Sequence, residues 1–277
     1  MGWPQTCIVM GYAPLALQIA QREQGRTPLG ASDFPESTHL LATDVRPGRR
    51  ETARRRRESR RGILFRRIYA AGLILCAAGF LALVMLADTH TILTFDVVVT
   101  RAIQAVHLPL YRWALVHESD LGFAPLSPLT FIAVFALLYA LGQRLDAVLA
   151  VLSAATAGLL GGAVKLLVAR VRPAPIVVHV TGHVQGYGFP SGHVIHYTTL
   201  FGFAFYAILV ARPRSWWRDL TLAVLALLIL LVGPSRVYLG QHWPTDALGG
   251  YLLAGLWLAG TIEVQRLALG RRQLANH

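Results

Sequence analysis

Lysine and acidic residues are both scarce in this chain of 277 residues. Lys165 is the only lysine among 26 basic residues, and 14 acidic residues leave a net charge of +12. The composition otherwise uses arginine alone, yet it keeps this one lysine inside an apolar run. Only two cysteines are present, Cys7 near the amino terminus and Cys76 in the middle of an apolar segment. We therefore predict neither a disulfide nor a zinc site.

The apolar segments are long, and they predict a membrane protein. Hydrophobic residues make up 55% of the chain and charged residues only 14%, outside the usual range of a soluble domain. A spanning helix needs roughly 20 mostly apolar residues. The predicted fold is all-α, an integral membrane bundle of six transmembrane helices. Their approximate ranges are 68–87, 123–142, 146–168, 194–211, 219–239 and 246–265.

Two regions outside these spans differ in character. Residues 1–62 are rich in arginine and show no sustained helical or strand period, which predicts a disordered cytoplasmic tail before the transmembrane domain at 63–272. Residues 95–115 carry apolar side chains at helical spacing and predict an amphipathic helix in the outer interface of the membrane. A helix packed on the rim of the bundle fits the same pattern.

The arginines indicate how the chain crosses the membrane. A cluster between Arg49 and Arg67 comes just before the first span, where the positive-inside rule expects a cytoplasmic flank. With that end inside, the basic loops at 144 and 212–218 and the carboxyl-terminal end also fall on the cytoplasmic side. A DNA-binding arm is the competing interpretation, but the position beside the membrane already explains the charge, and we predict no nucleic-acid partner.

Three cations lie near the outer ends of the predicted spans. Lys165 and Arg172 form the pattern Lys-x6-Arg-Pro, and Arg236 begins Ser-Arg-x5-His-x3-Asp with Ser235. A single cation there would often only extend its head group to the interface. Three converging cations need an anion, and the planar fork of arginine matches phosphate oxygens. The patterns therefore predict a phosphate site.

The sequence Pro-Ser-Gly-His at 190–193 opens the fourth span. Proline and serine are typical of helix starts, and the N–H groups of Ser191, Gly192 and His193 would point toward an anion with the positive end of the helix dipole. A plain helix cap explains Ser191 but not the histidine. A metal site formed with His196 is a further alternative, but no carboxylate nearby completes the ligands.

His242 and Asp246 are four residues apart at the start of the sixth span. On a helix their side chains share a face, one turn apart. A carboxylate bonded to one ring nitrogen leaves the other nitrogen free to attack an electrophile. The pair therefore indicates a nucleophilic histidine.

The three patterns, in this order and within about eighty residues, resemble the signature of the type-2 phosphatidic acid phosphatase superfamily. That superfamily includes lipid phosphate phosphatases, soluble acid phosphatases and vanadium haloperoxidases. The resemblance covers roughly Gly161 to Gly250 directly and implies a lipid phosphatase domain over 63–272. It also implies that the reaction needs no metal or other cofactor.

The resemblance implies a role for each matching residue. His242 would attack phosphorus and become phosphorylated, His193 would protonate the leaving oxygen and then activate water, and Asp246 would orient the nucleophile. The phosphoryl oxygens would be held by five residues: Lys165, Arg172, Ser191, Gly192 and Arg236.

The function expected from these features is hydrolysis of a lipid phosphate or diphosphate at the outer face of the cell membrane, through a phosphohistidine. Undecaprenyl diphosphate, phosphatidic acid and phosphatidylglycerol phosphate are the candidate substrates by resemblance. A vanadate-dependent haloperoxidase and a non-catalytic lipid-phosphate binder or transporter are the alternatives. Six spans argue against the first, and the His242–Asp246 pair argues against the second. The sequence gives no indication of oligomeric state.

Overall fold

The computed structural model describes residues 49–89, 91–182 and 184–275, and that part of the chain contains eight helices and no strand. The prediction of an all-α fold is confirmed. The chain divides into two units, and the second, Glu58–His277, holds the helical bundle. In chain order the helices are α1 (Arg49–Asp88), α2 (Thr94–Gln104), α3 (Pro109–Asp120), α4 (Leu126–Ala140), α5 (Arg144–Val168), α6 (Gly192–Ala211), α7 (Trp216–Tyr238) and α8 (Pro244–Ala275).

Five helices of the described chain are long and apolar enough to cross a membrane, where six were predicted. They are α1 over Gly62–Asp88, α5, α6, α7 and α8 over Pro244–Arg271. The predicted span at 123–142 is α4, which is apolar but only 15 residues long. At 1.5 Å per residue it reaches about 22 Å, less than the roughly 30 Å of a hydrocarbon core. It starts only after Pro125 and ends before Gly142, whose φ of 78° lies in the left-handed region.

The predicted amphipathic helix at 95–115 is two helices, α2 and α3. The break precedes Pro109, because a proline disfavours helical geometry at the residue before it and cannot donate an N–H. Large apolar side chains such as Val98, Leu110 and Trp113 are exposed on these helices, whereas Asp96 is fully buried. The outward apolar face fits contact with lipid, and the inward face brings a carboxylate into the bundle.

Helix α6 is the centre of the bundle and packs against α5, α7 and α8. Its buried residues, among them Tyr197, Leu200, Phe203 and Ile208, form the largest share of the main hydrophobic core. Helix α1 is different, since it contributes little buried surface and contacts the bundle through a few residues. One of these contacts is a stack of Phe80 on Phe189 with ring centroids 6.0 Å apart.

Tyr251 stabilises the turn of α7 that contains Pro234, in the helix that carries Arg236. Pro234 lies inside α7 and cannot take part in the helical hydrogen-bond ladder, which weakens this turn. The Tyr251 hydroxyl of α8 accepts a hydrogen bond from the Gly233 N–H at 3.0 Å and donates one to the Ile229 carbonyl at 2.6 Å. It thus bridges two backbone groups of the opened turn. The last turn of α7 is therefore fixed against α8.

The predicted tail lies outside the described residues up to position 48. From Arg49 onward the chain is helical, inside the segment for which no fold was predicted. Arginine, glutamate and alanine are good helix formers, and no proline or glycine interrupts the sequence before Gly62. The domain boundary at 62 and 63 stays a prediction.

Candidate active site

The predicted site residues meet at one end of the bundle. Lys165 is in the last turn of α5 and Arg236 is in the last turn of α7, while His193 and Asp246 are in the first turns of α6 and α8. The segment 169–190 connects α5 to α6 and carries Arg172. Arg172 Nη1 lies 3.1 Å from His242 Nε2, and Arg172 and Arg236 both donate to Gln241. Lys165 and Arg172 bind the neighbouring carbonyls of Tyr187 and Gly186, so the structure brings these residues close together.

Neutral acceptors hold the three predicted phosphate-binding cations. Lys165 Nζ donates to the Tyr187 carbonyl at 2.9 Å. Arg172 donates through Nε to the Gly186 carbonyl at 2.9 Å and through Nη1 to the Gln241 carbonyl at 2.6 Å. These acceptors fix the side chains without neutralising their charges.

Arg236 follows the same rule although it is fully buried. Its guanidinium donates to Ser119 Oγ and to Gln241 Oε1, and it lies over the ring of Phe123 at 4.9 Å. Among the carboxylates that the structure describes, none forms an ion pair with Lys165, Arg172 or Arg236. Three cations without a carboxylate partner at one place would favour an anion with more than one negative charge.

The first turn of α6 offers further donors. Ser191 precedes the helix with extended backbone angles, and its side chain makes no capping hydrogen bond. Its Oγ is buried and has no partner within the described chain. The Ser191 N–H was predicted to face the anion, but it donates to the Asp246 carbonyl at 3.0 Å. The N–H groups of Gly192 and His193 remain, since the first turn of a helix has no internal partner for them.

His193 is held by the segment between α3 and α4. Phe123 packs edge-on against its ring at 4.4 Å, and Gly122 lies directly beside it. A Cβ at position 122 would be only 2.1 Å from His193 Cδ2, so the site requires glycine there. His193 Nε2 is buried and has no hydrogen-bond partner in the part of the chain that the structure describes. It can therefore exchange a proton with a bound ligand.

The ring of His242 has two different sides. Arg172 Nη1 lies 3.1 Å from Nε2, and because a guanidinium only donates, Nε2 is the acceptor and Nδ1 carries the proton. Nδ1 lies 3.5 Å from Asp246 Oδ2. Burial and the charges of Arg172, Arg236 and Lys165 hold the pKa of His242 well below its ordinary value of 6.5. His242 is thus neutral, with a lone pair on the side of the cations.

Two buried residues of this site were not predicted, Arg170 and Asp96. Arg170 donates to Asp246 Oδ1 at 2.7 Å and to Asp96 Oδ2 at 2.8 Å. Arg170 could have been noticed, because it is a third cation inside Lys-x6-Arg-Pro in an otherwise apolar stretch. Asp96 offered no signal, since it lies 74 positions earlier on a helix interpreted as interfacial.

A family model matches the part of the sequence that forms this site. The model of the PAP2 superfamily matches residues 146–268, a segment that contains all of the predicted site residues. This segment is therefore similar to the PAP2 superfamily. The matched segment spans α5 to α8 and supplies both histidines and all three cations, whereas Asp96 and Gly122 come from outside it.

Two named proteins and one solved structure are similar to this chain. Phosphatidylglycerophosphatase B of Bacillus subtilis is 28% identical over 177 residues, which cover 63% of this chain and 85% of that protein. Undecaprenyl-diphosphatase of Sulfolobus acidocaldarius is 32% identical over 113 residues, which cover 39% of this chain but only half of that protein. The crystal structure of a transmembrane PAP2-type phosphatidylglycerolphosphate phosphatase from Bacillus subtilis superposes with a TM-score of 0.59 at 24% identity, over 69% of this chain and 96% of that one. It shows the same fold.

Proposed function

We propose that this multi-pass membrane protein hydrolyses a lipid phosphate or lipid diphosphate through a phosphohistidine at His242. The observation that carries the proposal is the two-sided environment of His242. Nε2 faces cations that have no carboxylate partner, and Nδ1 faces Asp246. The names of the two similar proteins, a phosphatidylglycerophosphatase and an undecaprenyl-diphosphatase, support the same class of reaction.

In the first step the substrate phosphate enters the group of cations. Lys165, Arg172 and Arg236 neutralise the charge on its non-bridging oxygens, with Ser191 Oγ and the N–H groups of Gly192 and His193 as further donors. Phosphoryl transfer depends mainly on such positioning and charge stabilisation. Nε2 of His242 then forms a bond to phosphorus as the bond to the lipid oxygen breaks. His193 gives its proton to that leaving oxygen.

In the second step water attacks the phosphohistidine. His193, now neutral, takes a proton from the water, and the bond between phosphorus and Nε2 breaks to release phosphate. Throughout the cycle the ring of His242 keeps its Nδ1 proton. Asp246 stabilises the positive charge that the ring carries while it is phosphorylated.

The substrate class follows from the position of the site. The site lies at the ends of apolar helices, so a lipid tail can stay in the bilayer while its head group meets the cations. Undecaprenyl diphosphate, phosphatidic acid and phosphatidylglycerol phosphate have the required chemistry. Phosphate release from each lipid, measured with purified protein in detergent and excess chelator, tests the proposal. Release from at least one supports it, and release from none contradicts it.

We place both termini on the cytoplasmic side and the active site on the outer side. This topology requires six crossings, so the short apolar helix α4 has to be the second of them. The arginines at 212–218 lie at the end of the bundle opposite the site, as the positive-inside rule requires. Single cysteines at Ile176 and at Arg214, in a variant without Cys7 and Cys76, can be labelled from outside intact cells with an impermeant reagent. We expect label at 176 and none at 214. The reverse result would place the site on the cytoplasmic side.

A further inference from the structure

A buried chain of ion pairs lies on the Nδ1 side of His242. Arg170 is only 2% exposed, and Asp96 and Asp246 are fully buried. One nitrogen of Arg170, Nη1, donates to Asp246 Oδ1 at 2.7 Å and to Thr245 Oγ1 at 2.6 Å. The other, Nη2, donates to Asp96 Oδ2 at 2.8 Å. A single guanidinium therefore links α2 to the first turn of α8.

The backbone before Arg170 directs the side chain inward. Helix α5 ends at Val168, and Ala169 takes left-handed angles, with φ 49° and ψ 31°. Only glycine adopts these angles without strain, so the surrounding contacts hold the turn in place. One such contact is the Gly188 N–H, which donates to the Arg170 carbonyl at 2.7 Å. The chain thus leaves the helix with Arg170 pointing into the protein.

The two carboxylate oxygens of Asp246 have different partners. Oδ1 accepts from Arg170, while Oδ2 accepts from the Trp243 N–H at 3.0 Å and faces His242 Nδ1. With Oδ1 fixed, the carboxylate has a single orientation, and the adjacent cation favours its charged form. Both effects prepare Oδ2 to hold the Nδ1 proton of His242.

Asp96 in turn fixes Arg170. Its Oδ1 accepts from the Thr245 N–H at 3.0 Å, and its Oδ2 accepts from the Thr245 hydroxyl at 2.8 Å as well as from Arg170. The Thr245 hydroxyl accepts from Arg170 and donates to Asp96, so it links the two charges a second time. All of these groups are buried, so a partner left without its counterpart would be strongly unfavourable.

We infer that Arg170, held by Asp96, is a positioning residue of the proposed phosphatase, which acts on the reaction only through Asp246 and His242. The inference rests on the proposed function. Each donor contact of Arg170 in the described chain goes to Thr245, Asp246 or Asp96, so Arg170 does not belong to the cations that would touch phosphate. It is a cation of the same motif with a different task.

A mutant cycle with Asp246 tests this inference. The variants are Arg170→Met, Asp246→Asn and the double variant, and the measurements are kcat and KM for a hydrolysed lipid phosphate. Residues that orient a reacting group usually contribute about 10- to 100-fold. We expect each single variant to lose that much in kcat with KM nearly unchanged, and the double variant to be no slower than the slower single. Multiplied losses in the double variant, or a raised KM with normal kcat, would overturn the inference.

A second pair of variants separates positioning from simple neutralisation. Arg170→Met leaves Asp96 as an unpaired buried charge, and adding Asp96→Asn removes that charge. We expect the Tm lost in Arg170→Met to recover in this double variant while kcat stays low. Recovery of kcat together with Tm would mean that Arg170 only neutralises Asp96.

Two controls complete the experiment. Arg101→Met removes another arginine near the site, whose Nη2 donates to the Val177 carbonyl at 2.9 Å, and it should leave kcat near the wild-type value. If the wild-type protein hydrolyses no lipid phosphate, that result contradicts both the proposed function and this inference. An active wild type with an equally active Arg170→Met variant would overturn the inference alone.

Discussion

The cations on the two sides of the His242 ring differ in the charge of their hydrogen-bond acceptors. On the Nδ1 side, Arg170 is bonded to two carboxylates, whereas on the Nε2 side Arg172 is bonded to backbone carbonyls. The first arrangement is neutralised within the protein and fixes geometry. The second keeps its positive charge for a ligand. Closely spaced cations of one motif therefore serve structure or binding according to the charge of their acceptors.

Removal of the histidine between the two regions should have the largest effect. We expect His242→Ala to lose turnover on the order of 10⁴-fold or more, because the group that forms the covalent bond is gone. In His193→Ala the enzyme should still become phosphorylated but release phosphate slowly. Steady-state phosphate release, together with mass spectrometry of the peptide that contains residue 242, measures both. Retained turnover in His242→Ala would contradict the assignment of His242 as the nucleophile.

On the binding side, loss of a cation should affect the reaction and spare the fold. Lys165→Met should lower kcat by about 10²- to 10³-fold, on the order of 3 kcal/mol, by analogy with the loss of an oxyanion donor. Its Tm should stay close to that of the wild type, because Lys165 binds only two carbonyl oxygens. Lys165→Arg should also be impaired, since a planar fork does not replace a compact ammonium. Normal turnover in Lys165→Met would mean that the residue only extends to the interface.

Displacement of His193 should have a smaller effect than the loss of a cation. In Gly122→Ala the new methyl group would lie 2.1 Å from His193 Cδ2 and would push the ring out of place. A shift of about 1 Å in a reacting group can slow a reaction by up to about 10²-fold. We expect slower release of phosphate from the enzyme, with KM less affected. Gly162→Ala is the matched control, because a Cβ there meets no atom within 4 Å and turnover should stay normal.

The smallest effect should come from Glu118, a buried carboxylate near Arg236. Burial raises the pKa of Glu118 to about 7, although the nearby Ser235 hydroxyl and the charge of Arg236 act in the opposite direction. A raised pKa in the folded state means that stability is full below the ordinary pKa of 4.5 and is lost as pH rises toward 7. Glu118→Gln removes this loss. Its Tm should exceed that of the wild type by a few degrees at pH 8 and converge with it near pH 4.5, as measured by thermal unfolding in detergent.

A Tm difference for Glu118→Gln that did not change with pH would contradict the raised pKa. It would also weaken the comparison between the two sides of His242. Glu118 would then be a permanent counter-charge of Arg236, and the binding side would be compensated like the other.

The parts of the site that the sequence predicted are those linked by short spacings. The four-residue spacing brings His242 near Asp246 as predicted, although His242 lies two residues before α8 and not on its face. Lys165 and Arg172 flank one helix end, so local geometry also places them. The Asp96–Arg170 contact joins positions 74 residues apart, and no local rule connects them. Gly122 was missed for a similar reason, since its requirement comes from a side chain on another helix.

The helices were predictable to the extent that hydropathy alone decides them. Four long spans follow from apolar length, and α1 was recognised although its extension before Gly62 was not. The length of α4 was overestimated. Hydropathy counts residues 123–125 and 141–142 as part of the span, but the helix covers only Leu126–Ala140. The break between α2 and α3 was visible as Pro109, which restricts the residue before it.

The uncapped start of α6 has a consequence for thermal stability. Ser191 makes no capping hydrogen bond, and the first N–H groups of this central helix have no partner within it. A phosphate bound there would take the place of the missing cap. Product inhibition and heat resistance would then have the same cause, because a ligand that binds only the folded state raises Tm as its concentration increases above its Kd. Inorganic phosphate, the product of the proposed reaction, would act as a stabilising additive for the purified protein.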